Sequence, residues 1–144
     1  KRKMNSETLY VTPPDLHLPV KGLRFYFLGG SNDWRQAVQN LIDDVYSTIA
    51  TTHYFTSGPI EDKEIPWVIA NIFHADLIII NLDQLNNLEL TFAAALCKNE
   101  NIWLYSDQGK NKGIQKILNT LGKTAIIEDL PTFKIALEIE AKHV

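Results

Sequence analysis

Leu23-Arg24-Phe25-Tyr26-Phe27-Leu28 is a short aromatic and aliphatic run that stops at Gly29-Gly30-Ser31. Such a run reads as a strand, and paired glycines let the backbone turn sharply at its end. A helix is expected next, from about Trp34 to Tyr46, with Val38, Leu41, Ile42 and Val45 as its apolar stripe. Asp33 followed three residues later by Gln36 has the spacing of a capping box. Strand, glycine turn and amphipathic helix in that order make one βα unit.

Working outward, the same alternation recurs. A short strand is expected near His53–Thr56, closed by Ser57-Gly58-Pro59, and Pro66 suits the first turn of a helix reaching about His74. Leu77–Leu82 is apolar at nearly every position, as a strand covered on both faces should be. Further helices are expected over about Leu88–Lys98, Lys110–Leu121 and Thr132–Ala141, and further strands at Ile102–Tyr105 and Ala125–Ile127. Five strands alternating with five helices predict a three-layer α/β/α domain on a five-stranded, parallel, doubly wound sheet of flavodoxin or Rossmann type. Residues 1–22, punctuated by Pro13-Pro14 and Pro19, read as an amino-terminal arm with a short edge strand at Leu9–Thr12. Residues 23–144 form the single domain.

Composition narrows the function classes. The chain has 144 residues, 45% hydrophobic and 22% charged, with 14 basic against 17 acidic residues and a net charge of −3. That balance supplies no cationic field for a nucleic-acid polymer. One cysteine, Cys97, excludes an intrachain disulfide framework and a cysteine-rich zinc site. No metal-ligand spacing joins His17, His53, His74 and His143, so neither a metal nor another cofactor is expected. The greasiest run, Leu77–Ile80, is far short of a membrane span, and no apolar run of signal-peptide length follows Lys1-Arg2-Lys3. A soluble, cytoplasmic protein is expected. A first residue of Lys rather than Met reads as a trimmed or an incomplete chain.

In parallel α/β sheets ligands sit beyond the carboxyl ends of the strands. Gly29–Asp33, Thr56–Pro59, Asp83–Glu89 and Ser106–Gly109 therefore carry the candidate chemistry. Gly29 and Gly30 would let a ligand approach the backbone, and the helix start after Ser31 offers N–H groups to an anion. A bare strand-to-helix turn explains the same residues. Asp83 and Glu89 bring two carboxylates to the mouth of the central strand, where one could attack or stabilise a cationic sugar carbon. Asn86 followed three residues later by Glu89 is equally a capping box, which needs no chemistry. Trp34, Trp67 and Trp103 suit the core or a pocket wall able to stack on a base.

In sequence order, these pieces resemble the nucleoside 2-deoxyribosyltransferase superfamily, which includes the 2′-deoxynucleoside 5′-phosphate N-hydrolases. Tyr26-Phe27-Leu28-Gly29-Gly30 with Trp34-Arg35 is similar to the family's strand-Gly-Gly opening and Trp-Arg pair. Trp67 leading to Ala75-Asp76-Leu77-Ile78-Ile79 is similar to its Trp-helix-Ala-Asp-strand segment. Asn87-Leu88-Glu89-Leu90-Thr91-Phe92-Ala93 matches the helix that begins with its catalytic Glu.

The resemblance implies that Glu89 is the nucleophile on the anomeric carbon, that Tyr26 positions it, and that Asp83 binds the sugar. Gly29, Gly30, Ser31, Trp34, Arg35 and Trp67 would contact a small nucleoside or nucleotide. It also implies a homo-oligomer in which a neighbour's residues complete the pocket. Two departures stand out. Val68 occupies the position after the Trp where the family carries an acid, and Leu90-Thr91 replaces the Gly after the Glu. The alternatives are a nucleotide-binding module that has lost catalysis and an interaction domain on the same fold.

Overall fold

The computed structural model describes residues 6–11, 22–56, 75–85, 101–108 and 126–142, together with Lys63 and Pro66. The helices expected after Pro66, over 88–98 and over 110–121 lie outside the described residues.

The described chain is an α/β fold on a wholly parallel sheet, with strands in the order β1-β3-β2-β4-β5. The strands are β1 (Ser6–Val11), β2 (Leu23–Leu28), β3 (Thr51–Thr56), β4 (Leu77–Asn81) and β5 (Ile102–Tyr105). The described helices are α1 (Asn32–Val45) and α2 (Leu130–Ala141). The chain leaves β2 for β3 on one side through α1, and β4 lies on the other side of β2. The crevice between the ends of β2 and β4 is thus the point where the strand order reverses, the usual ligand position in open parallel sheets.

β3 begins two residues before the expected His53 and β4 ends one residue before Leu82, and two further strands differ from the sequence expectation. The edge strand runs over Ser6–Val11, pairing with the whole of β3 from Ser6↔Thr51 to Val11↔Thr56. The strand expected at Ala125–Ile127 is reduced to an isolated bridge, Tyr105↔Ile127, among the described residues. A three-residue apolar stretch is too short to reveal how many ladder bonds it will form.

β2 and β4 occupy the middle of the sheet, and burial follows from that position. All five residues of β4 are buried, and so are Phe25 through Leu28 of β2. The strand period of two sends Phe25, Phe27, Leu77 and Ile79 to one face, where they meet Val38, Ile42, Phe133 and Leu137 from the two helices. Tyr26, Leu28, Ile78 and Ile80 point to the opposite face and are equally buried. Each such side chain contributes about 1.5–3 kcal/mol by leaving water, so these two strands hold much of the core energy.

The helix starts are set by side chains. The Ser31 Oγ accepts the Trp34 N–H at 3.1 Å, so Ser31 rather than Asp33 is the N-cap of α1. Asp33 falls in the first turn instead, where its charge favours the helix dipole. At α2 the Asp129 Oδ1 accepts the Thr132 N–H at 2.7 Å, and Pro131 sits in the first turn. That donor holds the Asp129 carboxyl below its ordinary value.

A buried polar cluster ties α1 to β3. One carboxylate oxygen of Asp43 accepts the Thr51 hydroxyl at 2.7 Å and meets His53 Nε2 at 2.9 Å. His53 is fully buried and stacks on Phe25 with ring centroids 5.5 Å apart. These bonds tie the helix to the strand through His53 Nε2, while the buried His53 Nδ1 has no hydrogen-bond partner among the described residues.

Candidate functional site at the carboxyl ends of the central strands

β2 ends in two residues that only glycine can supply. Gly29 and Gly30 have φ of +74° and +88°. A Cβ on Gly29 would lie 2.5 Å from the Gln84 carbonyl oxygen and 2.8 Å from that of Asn81. On Gly30 it would strike the Trp34 ring at 2.3 Å. The close approach has a purpose in the fold. Gly30 N–H donates to the Gln84 carbonyl at 3.0 Å, joining the loop after β2 to the loop after β4.

Arg35, one residue after Trp34 on α1, turns back over this junction. Its Nη1 donates to the carbonyls of Gly30 (2.7 Å) and Gly29 (3.3 Å), and its Nη2 donates to Asn32 Oδ1. The guanidinium thus satisfies carbonyls exposed by the glycine turn. Trp34 stands beside it, edge-on to Phe27 with centroids 6.1 Å apart and tilted against Tyr105 at 5.3 Å. Its indole Nε1 is buried and turned toward the Tyr105 hydroxyl.

Asp83 is the carboxylate at the mouth of β4. Asn81 Oδ1 accepts its N–H at 2.9 Å, which turns the chain directly after the strand. Its own carboxylate spans to the loop after β5. Oδ1 accepts the Ser106 hydroxyl at 2.7 Å, and Oδ2 accepts the N–H groups of Asp107 (2.9 Å) and Gln108 (3.3 Å). Burial by itself pushes the Asp83 carboxyl up, but these donors together outweigh burial and hold it below the ordinary value. Asp83 is therefore an ionised clamp between two loops. Below it the Tyr105 phenol is pushed up, by burial first and then by the nearby Asp107 charge.

The structure brings Gly29, Gly30, Ser31, Trp34 and Arg35 together at one end of β2. Across the Gly30–Gln84 bond it sets Asp83 beside them. Ser31 serves as a helix cap. Tyr26 is 1% exposed within β2 and stacked almost parallel on Tyr54 at 6.0 Å. Glu89, Trp67 and Val68 lie outside the described residues, as do the expected loop positions 57–59, 86–88 and 109.

The strand-end rule marks 106–109 as a candidate loop, but the bonds of Asn81, Ser106, Asp107 and Gln108 to Asp83 appear only in the fold. An Asn two residues before an Asp at a strand end is a local turn signal that could have been recognised. Nothing local could reveal the partner of Ser106, which lies 23 positions away.

Among the described residues no group of three or more His, Cys, Asp and Glu side chains could hold a metal. Among them, too, no helix is long and apolar enough to cross a membrane. No protein-family model matches the chain, and no curated protein matches it in sequence.

Proposed function

We propose that the chain cleaves or transfers the N-glycosidic bond of a nucleoside or nucleotide, with Glu89 as nucleophile, on a three-layer doubly wound fold. The observation carrying this reading is the junction at the strand-order reversal. There an obligatory glycine turn, the start of α1 and a loop clamped by an ionised Asp83 meet at the carboxyl ends of β2 and β4. A helix start favours an anionic group such as a 5′-phosphate. Burial of Tyr26, Leu28, Ile78 and Ile80 on the face away from α1 supports a further layer on that side.

In the proposed chemistry a Glu89 carboxylate oxygen bonds to the anomeric carbon. The carbon–nitrogen bond breaks, its electron pair goes to the base, and the base takes up a proton. Water then attacks the same carbon, the carboxylate leaves, and the freed sugar keeps the hydroxyl. A second base in place of water gives transfer. Asp83 acts as a positioning residue here, because both its oxygens are occupied by loop donors. Tyr26 is likewise assigned to positioning.

The test is incubation of the chain with deoxynucleosides, ribonucleosides and their 5′-monophosphates while free base is measured. Base release that disappears in Glu89→Ala is expected. No release, or release that survives the substitution, overturns the proposal.

Val68 favours a second reading, a pocket that holds a nucleotide without turning it over. A general acid contributes about 10²–10⁴-fold, and valine cannot act as one. Thermal stabilisation by a nucleotide with no base released would favour this reading.

A further inference from the structure

At the other end of the sheet, among the described residues, a cavity of about 340 Å³ opens beside the amino ends of β2, β4 and β5. Its apolar walls are Leu23, Phe25, Tyr46, Leu77 and Trp103, so three of the five apolar lining residues are aromatic. Its polar lining comes from Asp76, Asn101 and Glu140. The volume suits a small organic molecule.

The charged side chains that line it, Asp76 and Glu140, are both acidic, with Arg24 paired to Asp76 at the rim. α1 and α2 run back against the strands, so both helices end here, with Tyr46 as the C-cap of α1 and Glu140 in the last turn of α2. Neither last turn contains a basic residue. Each helix end contributes roughly half a negative charge, offset at α2 by the Lys142 cap and at α1 by no basic residue of its last turn. Asp76 is partly neutralised, since its Oδ2 accepts the Arg24 N–H at 2.8 Å and lies 3.6 Å from Arg24 Nε. Glu140 has no such partner among the described residues. Lys142 caps α2 and is exposed, but does not line the cavity. The Tyr46 phenol is pushed up by burial first and then by the Glu140 charge, which is consistent with a field of this sign.

We infer that this cavity binds a free small organic cation, an ammonium or quaternary ammonium on an apolar body. Aromatic faces attract such a cation and cover its apolar part, while carboxylates at the rim retain its charge. An anion would meet two carboxylates and two helix carboxyl ends. A choline headgroup carries the same cation, but its adjoining phosphate would face that repulsion, so the free cation is the better fit. The site is independent of the proposed glycosidic chemistry at the opposite end of the sheet.

Benzyltrimethylammonium, benzyl alcohol and benzoate would be titrated into the full chain at low salt, with the indole N–H resonances followed by NMR. The cation should shift the Trp103 signal saturably and bind about tenfold more tightly than the alcohol, with benzoate weaker still. Glu140→Gln, a change at an exposed site, should weaken cation binding by about threefold and leave alcohol binding unchanged. Equal affinity for cation and alcohol, a response at Trp34 in place of Trp103, or an unaltered affinity in Glu140→Gln overturns the inference. Co-sedimentation with phosphatidylcholine vesicles also overturns it, by moving the site to a lipid headgroup.

Discussion

The two ends of the parallel sheet are built on opposite plans. At the carboxyl ends the loops after β2, β4 and β5 are bonded to one another through Gly30 N–H, the Arg35 guanidinium and the Asp83 carboxylate. At the amino ends α1 is fastened to β3 by the buried Asp43–Thr51–His53 cluster, and beside it the structure leaves an aromatic hollow. The first plan relies on backbone groups and one ionised side chain near the surface. The second has backbone bonds of its own, such as Leu23 N–H to the Ala50 carbonyl and Ile78 N–H to that of Asn101, and adds a cluster of buried side chains. A tightly bonded loop junction presents fixed donors and dipoles to a polar ligand. An unfilled aromatic space offers contact area and a field.

The contrast can be broken first at its most constrained atom. Gly29→Ala puts a Cβ against two backbone carbonyls at a φ of +74° and should cost at least about 3 kcal/mol, enough to lower a urea midpoint substantially. Retained stability would mean that the loops after β2 and β4 can separate freely. At the other end, Asp43→Ala leaves the Thr51 hydroxyl and His53 without their shared acceptor and should cost about 3 kcal/mol. Asp43→Asn keeps an acceptor and should cost less in the same denaturation experiment. A loss no greater than that of an exposed substitution would show that the cluster does not fasten the helix.

The smallest effect sharpens the contrast through pH. Asp83→Asn should cost only about 1–2 kcal/mol at neutral pH, because the carboxylate is partly exposed and water can replace some of its partners. The folded carboxyl is held below its ordinary value, so its ionised form contributes stability that is fully present above the ordinary carboxylate range. That stability is lost as pH falls through the folded value. Wild type and Asp83→Asn should therefore differ in melting temperature at neutral pH and converge in acid. A gap that persists unchanged in acid would assign the effect to something other than the carboxylate clamp.

How legible each part was depends on how far apart its determinants lie. β2, β4 and β5 were readable because a strand covered on both faces must be apolar along its whole length. The start of α1 was misread by two residues. Asp33 and Gln36 have a valid cap spacing, but the Ser31 hydroxyl reaches the Trp34 N–H first, and only the direction of the chain leaving Gly30 settles that choice. His53 drew no interest as a sequence feature, because its partner Asp43 lies on another element and lacks any ligand-like spacing. The aromatic hollow was invisible for the same reason: Phe25, Tyr46, Trp103 and Glu140 come from four separate elements.

By itself the sequence determined a parallel α/β fold, the central strands and the glycine turn, since apolar period and φ freedom are properties of adjacent residues. Tertiary structure alone decided that Ser6–Val11 pairs with β3, that Asp83 closes on Ser106, and that a hollow forms between two helix ends. Those outcomes depend on which distant groups arrive within hydrogen-bond or packing distance, and that distance is set by the folded chain as a whole.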